Sequence, residues 1–354
     1  MRRRAFLLTP LLLPINARAD VQYPGVDRST ALIFPRDHGS HPTFRTEWWY
    51  ITGWLRDASG RDFGVQVTFF RTRPGVNEAS ASRFAPTQLL FAHAAIADPR
   101  AGQLRHDQRA ARAGFGIAQA SAQTTDVVIG DWSLGLAGDT YTARVTAREF
   151  AFTLSFEARA AILLQGERGV SRKGPGLSQA SYYYSRPQLR TSGTLTTNGE
   201  SVAVTGTSWL DHEWSSEYLA PEAQGWDWTG INLDDGGALM AFVIRGKDGA
   251  AYWSGGSRRD GAGALRTFAP SDVRFTPQRR WRSPRTNATY PVAMRVDAGG
   301  STYLLEPLLD DQELDSRASV GTIYWEGAVR ARVGERYVGR GYLELTGYAG
   351  ALKI

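Results

Sequence analysis

Trp48-Trp49-Tyr50-Ile51-Thr52-Gly53-Trp54-Leu55, then Asp57-Ala58-Ser59-Gly60, then the run Phe63 to Phe70, reads as two strands joined by a turn. Aromatic and β-branched residues suit a pleated ladder, and the Asp-Ala-Ser-Gly cluster marks the reversal. The same signature recurs along the chain. Asn198-Gly199 separates Gly193-Thr194-Leu195-Thr196 from Val202-Ala203-Val204-Thr205. It is the strongest hairpin signal in the sequence, because a type I′ turn needs φ > 0 at both central positions. Further turns fall at Asp234-Asp235-Gly236-Gly237, Asp248-Gly249, Asp260-Gly261 and Gly299-Gly300. Helical periodicity is nearly absent; only Leu104 to Ala113 reads as a short helix or a plain loop. Short strands at regular turn spacing predict an all-β fold, a sandwich or a barrel.

The opening stretch also has an echo. Trp49-Tyr50-Ile51-Thr52-Gly53, with its run ending at Phe70-Arg71, resembles Trp226-Asp227-Trp228-Thr229-Gly230, whose run ends at Ile244-Arg245. Tyr182-Tyr183-Tyr184 and Gly206-Thr207-Ser208-Trp209-Leu210 resemble Tyr324-Trp325 and Gly339-Arg340-Gly341-Tyr342-Leu343. Two copies of one β unit, the second shorter, would meet near residues 212–225. The expected division is an N-terminal domain over 20–215 and a C-terminal domain over 216–354. A chain of 354 residues suits two cores. An eight-stranded barrel encloses one small ligand, so each copy is of a size to hold a pocket.

Residues 1–19 read as a cleavable export signal. Arg2-Arg3-Arg4 precedes a short apolar run, Ala5 to Ile15, and Ala17-Arg18-Ala19 forms an A-x-A site. Arg3-Arg4-Ala5-Phe6-Leu7 also fits a twin-arginine signal, leaving the twin-arginine and general routes open. The run is too short to span a bilayer, so no transmembrane segment is expected and the location is periplasmic or secreted. Cleavage would remove four of the arginines behind the formal charge of +6. The remaining basic residues are scattered apart from Arg279-Arg280-Trp281-Arg282, and no nucleic-acid partner is expected. With no cysteine, the chain has no disulfide, thiol nucleophile or Cys-ligated metal.

The common catalytic motifs are missing: no G-x-S-x-G, H-E-x-x-H, phosphate loop or dinucleotide fingerprint. Asp37, His38 and His41 offer zinc-type ligands in a loop ahead of Trp48; the simpler reading is a turn that ties down the strand. No metal and no cofactor are expected. His93, in an apolar run, reads as a core histidine bonded to backbone, and His106 as exposed. The densest spot is Ser208-Trp209-Leu210-Asp211-His212-Glu213-Trp214-Ser215-Ser216. On a strand, Trp209, Asp211 and Glu213 share one face while Leu210, His212 and Trp214 share the other. Burying such charges without partners is costly. Two readings stand: a polar plug at a barrel end, with Asp211 or Glu213 paired to an arginine such as Arg45 or Arg71, or an acid that protonates an alkene while indole faces stabilise the cation.

Several motifs resemble the carotenoid 1,2-hydratase and AttH-like family. They include Asp37-His38-Gly39, Glu47-Trp48-Trp49-Tyr50-Ile51-Thr52-Gly53, Ser181-Tyr182-Tyr183-Tyr184-Ser185 and Trp209-Leu210-Asp211-His212-Glu213-Trp214. Gly225-Trp226-Asp227-Trp228, Tyr324-Trp325-Glu326-Gly327 and Gly341-Tyr342-Leu343-Glu344-Leu345-Thr346-Gly347-Tyr348 continue the likeness. The resemblance implies tandem lipocalin-like β-barrel domains with an apolar pocket. Carotenoid hydratases add water to an isoprenoid double bond without a cofactor and use a His-x-Trp pair, which His212 and Trp214 match. Their downstream tyrosine and aspartate have no counterpart in Leu239-Met240-Ala241-Phe242-Val243-Ile244. AttH-like members, which the motifs resemble more closely, imply export and a role beside an ABC-type transporter permease, or hydrolysis.

Two functions are therefore expected of one pocket. In the first, an exported carrier holds an isoprenoid or lipid between Trp49, Tyr50, Trp209, Trp226 and Trp228. In the second, a cofactor-free hydratase or hydrolase uses His212 as acid/base, Asp211 to orient it and Trp214 to stabilise a cation.

Overall fold

The computed structural model describes residues 21–351 apart from Asn77, Ala79, Arg83 and Tyr218. The expected export signal lies outside the described residues. Four strands form the first antiparallel run: β1 (Thr46–Asp57), β2 (Asp62–Thr72), β3 (Leu89–Ala97) and β4 (Leu104–Arg112). Then come β5 (Ala118–Ala120), β6 (Asp126–Ile129), β7 (Trp132–Ala137), β8 (Thr140–Thr146) and β9 (Phe150–Glu157). Two short strands, β10 (Leu163–Leu164) and β11 (Val170–Arg172), precede the long β12 (Ala180–Thr197) and β13 (Glu200–Ser215). These strands make one sheet, ordered β4-β3-β2-β1-β13-β12-β9-β8-β7-β6-β5, with β10 and β11 on β12. The two ends of the sheet approach each other, β3 and β4 lying against β6, so it curls into a nearly closed barrel.

The second sheet starts at β14 (Ala223–Leu233), β15 (Ala238–Gly246), β16 (Ala251–Arg259) and β17 (Leu265–Phe268). It continues through β18 (Val273–Arg282), β19 (Thr289–Ala298), β20 (Ser301–Pro307) and β21 (Glu313–Asp315) to β22 (Ile323–Val333) and β23 (Arg336–Leu345). Its order, β17-β16-β15-β14-β23-β22-β20-β19-β18, repeats the plan of the first sheet, again with the first strand beside the last. Among the described residues no helix is long and apolar enough to cross a membrane.

The turns follow the local chemistry. Asn198 and Gly199 adopt φ of 53° and 75°, closing the β12–β13 hairpin. At the β1–β2 turn Asp57 Oδ1 accepts hydrogen bonds from the amides of Ser59 and Arg61. Leu104–Ala113, expected as a short helix or a plain loop, is instead β4, an edge strand paired to β3. Arg105, Arg109 and Arg112 lie on that edge, where charge discourages pairing with another chain.

The duplication is real in topology, but the motif match is one residue out of register. Trp48 pairs with Phe70 on β2, and Trp226 pairs with Ile244 on β15. Tyr50 faces Asp211, and Trp228 faces Glu344. Trp226 and Trp228 thus correspond to Trp48 and Tyr50. Matching Trp226 to Trp49 would turn every side chain to the opposite face. The second echo is in register: Ser185 faces Asp211 as Glu326 faces Glu344.

Alternation along these strands sorts the buried residues into four clusters, the smallest joining Ala95, Ala97 and Leu104 to Leu314 and Tyr324. Trp49, Ile51, Leu210 and Trp214 fill the first barrel, and Ile231, Trp325, Leu343 and Leu345 the second. A third cluster, including Tyr50, Tyr183, Trp209, Trp228 and Phe242, lies between the domains. The barrel interiors are packed with side chains, so the apolar pocket is not inside either barrel. It lies between them.

Candidate functional site

The interdomain cavity has a volume of about 510 Å³. One wall is the outer face of β1, β2 and β13, contributing Trp48, Tyr50 and Phe70; the other is β14 and β15, contributing Trp226, Trp228 and Phe242. The correspondence between the two domains makes these walls pseudo-symmetric, like an interface between two copies. Acids line the same space: Asp211 and Glu213 from β13, Glu326 from β22 and Glu344 from β23.

Asp211 is buried and fully bonded. Its Oδ1 accepts from Ser185 Oγ at 2.5 Å and Trp209 Nε1 at 2.7 Å, and its Oδ2 from the Tyr183 hydroxyl at 2.5 Å. The Trp228 indole donates in turn to Tyr183 Oη at 3.1 Å. Burial pushes the carboxyl up to about 7, Glu213 adding to the rise, although the three donors favour the ionised form. Glu213 differs, because Lys173 Nζ lies 2.8 Å from its Oε1 and Ser181 also donates to it. The same ammonium sits 4.5 Å from the Phe242 ring centre and 4.9 Å from that of Tyr183.

Among the described residues the other acidic wall has no such cation. Burial, and then the neighbouring Glu344, push Glu326 well above the carboxylate range despite Tyr50 and Tyr324 nearby. Glu344 is pushed up to about 8 by burial and by the charges of Asp211 and Glu213, a hydrogen bond from Trp226 opposing them. Glu326 Oε1 and the Tyr50 hydroxyl make no well-formed hydrogen bond, although the phenol lies close enough to stabilise the carboxylate slightly.

His93 also lines the cavity, and its partners are side chains of the other domain rather than backbone. Its Nδ1 is 2.8 Å from Tyr324 Oη and its Nε2 is 2.9 Å from Ser319 Oγ. Burial lowers it to about 3, so it is a neutral bridge between the domains. His106 is partly buried, its Nε2 accepting from the Asp315 amide at 3.4 Å.

His212 and Trp214 point the other way, into the first barrel. His212 is fully buried, with Nε2 2.9 Å from Glu47 Oε1 and Nδ1 3.1 Å from Tyr184 Oη. Burial lowers its imidazole to about 4, so it is neutral. Glu47 binds His41 Nδ1 at 2.7 Å and Arg71 Nε at 2.8 Å as well. Burial alone would raise Glu47, but the bonds from His212 and His41 and the charge of Arg71 hold it well below the usual range. Trp49 stacks on His212, and His41 stacks on Trp214 at 3.7 Å between ring centres. His41, Glu47 and His212 offer three metal-ligand atoms within 4.8 Å of one another. Arg71 already supplies the positive charge on that carboxylate, so the set is complete as a hydrogen-bonded plug. His38 bonds Tyr184 Oη, and Asp37 accepts from the Ile33 amide, so that loop ties down the strand start.

Of the residues singled out from sequence, the cavity therefore brings together Tyr50, Asp211, Trp226 and Trp228, with Trp209 bonded to Asp211 from behind. Trp49, His212 and Trp214 lie on the opposite face of their strands. An acid/base role for His212, oriented by Asp211, does not fit this placement, since adjacent strand residues face opposite sides. Tyr183, Glu326 and Glu344 escaped the sequence reading as site residues. Their signal was alternation: each flanks a core residue, Tyr184, Trp325, Leu343 or Leu345, and so faces outward.

Two nearly closed antiparallel barrels with an acid-lined cavity between them define a tandem lipocalin-like protein. The AttH-like family profile matches residues 25–348, and the chain belongs to that family. A crystal structure of a protein assigned to AttH from Nitrosomonas europaea is 52% identical, covers 92% of this chain and 99% of its own, and superposes with a TM-score of 0.86. Kievitone hydratase from Nectria haematococca shares the fold at 15% identity, covering 94% of this chain and 97% of its own with a TM-score of 0.70. CghA, solved with Sch210972, shares it at 14% identity, with coverage of 87% and 90% and a TM-score of 0.55. No curated protein sequence matches the chain.

Proposed function

We propose that this protein, exported as its first residues predict, binds an apolar unsaturated small molecule between its domains and adds water to it without a cofactor. The observation that carries this reading is Asp211: a carboxyl pushed up to about 7, bonded through Tyr183 and facing aromatic walls. A group poised near the working pH exchanges protons efficiently in either direction. The indole faces of Trp226 and Trp228 supply the negative quadrupole that a carbocation needs. The hydratase name of one structural relative agrees with this reading.

A carrier that delivers the same ligand to an ABC-type transporter would use the same aromatic walls. It has no use for the acids, and burying carboxyls without cations is costly in a site that only holds an apolar molecule. The test is incubation with isoprenoid alkenes (geraniol, farnesol, squalene) in oxygen-18 water, with product mass read by spectrometry. Incorporation of labelled water, reduced about 10²–10⁴-fold by Asp211→Asn, is expected. Tight binding of such a compound with no incorporation in the whole panel would favour the carrier.

A further inference from the structure

Adding water across a double bond needs a proton donor at one carbon and a proton acceptor at the water attacking the other. We propose that Glu326 and Glu344, a carboxyl pair on the second domain's wall, are the donor, and that Asp211 with Tyr183 on the opposite wall is the acceptor. This assignment rests on the hydratase reading and divides its chemistry between the two domains.

The geometry separates the two centres. Glu326 and Glu344 are direct cross-strand partners on β22 and β23, both lining the cavity. Directly opposed carboxyls lie about 4.5–5.5 Å apart at Cβ, and two such groups in a buried site hold at least one proton between them. Glu326 is buried, 2% exposed, and the polar groups that reach it are the phenols of Tyr50 and Tyr324, which are neutral and leave the acid its proton. Asp211 is the opposite case: three donors converge on it, the arrangement that favours a carboxylate. Burial raises all three acids, and what sets Asp211 apart is its three hydrogen-bond donors, where Glu344 faces a second carboxyl across the strand.

The titratable and charged groups facing the pair come from every neighbouring element. They are Tyr50 on β1, His93 on β3, Tyr183 on β12, Asp211 and Glu213 on β13, and Tyr324 and Tyr342 beside the pair, with Arg45 also lining the cavity. Lys173 is paired to Glu213, and His93 is neutral and bonded to Tyr324.

The step balances. The π electrons take a proton from the carboxyl pair, forming a C–H bond and a cation on the adjacent carbon. A water oxygen donates a lone pair to form the C–O bond, and its surplus proton passes to Asp211. One proton returns from Asp211 to the pair through solvent on product release. One water is consumed and nothing is oxidised or reduced. A carboxylic acid protonates an alkene only where a stabilised cation results, so the substrate class is an alkene that gives a tertiary cation, as an isoprenoid double bond does.

The experiment uses the full chain, farnesol in oxygen-18 water over pH 5–10, and N-phenyl-1-naphthylamine fluorescence as a probe of cavity binding. The Glu326→Gln/Glu344→Gln double variant should lose at least about 100-fold in rate while holding the probe within about threefold of wild type. In Glu344→Gln alone, Glu326 loses its repelling neighbour, and the alkaline limb of the rate profile should move to lower pH. A double variant that keeps more than a tenth of the rate, or an alkaline limb that does not move, overturns the donor assignment while leaving hydration intact. If the wild type hydrates nothing, the hydratase reading itself fails. Infrared spectroscopy then decides on the pair alone. A neutral-carboxyl band at pH 7 that disappears in the double variant sustains it as a proton store, and the lack of that band overturns it.

Discussion

The molecule buries two clusters of acids within a few strands of each other, and they are built on opposite principles. Glu47, inside the first barrel, is met by Arg71, His41 and His212, and its carboxyl is held well below the usual range. Glu326 and Glu344, between the barrels, meet no cation among the described residues, and their carboxyls are pushed up. Burial taxes both clusters equally in kind. What differs is the partner: one cluster is neutralised by the chain itself, while the other keeps its protons and faces a cavity. The first arrangement holds a fold together, and the second is equipped to act on a ligand.

The largest break in this comparison is Arg71→Leu. It should leave Glu47 buried without its cation and cost about 3–5 kcal/mol. Urea unfolding followed by tryptophan fluorescence measures it, and a loss below about 1 kcal/mol would remove the distinction between the clusters. His212→Ala should follow, with a loss of ~2–3 kcal/mol from unsatisfied partners and a new void. Its rate per folded molecule should stay within about threefold of wild type. A much larger drop in rate without loss of stability would return His212 to the chemistry.

The two clusters should also tilt stability in opposite directions with pH. Glu47 has a folded pKa below its unfolded value of 4.5, so its contribution is present above that pH and fades as pH falls through the folded value. Glu344 has a folded pKa of about 8. Between about pH 4.5 and 8 the unfolded chain ionises it while the folded chain keeps the proton, so stability falls as pH rises. Glu344→Gln should therefore be more stable than wild type at pH 8, by ~1–2 kcal/mol, and equal to it near pH 4. Equal stability at both pH values would mean that Glu344 is solvated. The smallest effect belongs to Arg330→Ala, which breaks an interdomain pair to Asp62 at 2.9 Å. Both partners are partly exposed, and the unfolding midpoint should register less than about 1 kcal/mol.

Much of this was legible in the sequence. Turn chemistry at Asn198-Gly199 and the recurring aromatic motifs carry the two-domain, all-β plan. Simple alternation already divides Asp211 and Glu213 from His212 and Trp214. Alternation does not say which face meets a ligand. A barrel in isolation invites the inner face, whereas here the inner faces are filled and the cavity forms where two outer faces meet. That choice depends on docking between domains, which no local pattern encodes. The misreading of Leu104–Arg112 has a similar origin. Three arginines and a histidine on a short strand look like a solvated helix until the sheet edge they guard is known. The one-residue slip between Trp49 and Trp226 arose because tryptophans occupy both faces of β1, so composition alone could not fix the register.

The pseudo-symmetry of the interdomain cavity has a consequence for how such a site can evolve. Two identical barrels meeting face to face could offer only equal halves, each acid mirrored by its own copy. Joining both barrels in one polypeptide frees the halves from that constraint. Glu326 stands where the other half has Ser185, and Glu344 where it has Asp211. A covalent link between like units thus becomes a means of breaking likeness, and direction enters a cavity that a dimer of single barrels would leave ambidextrous.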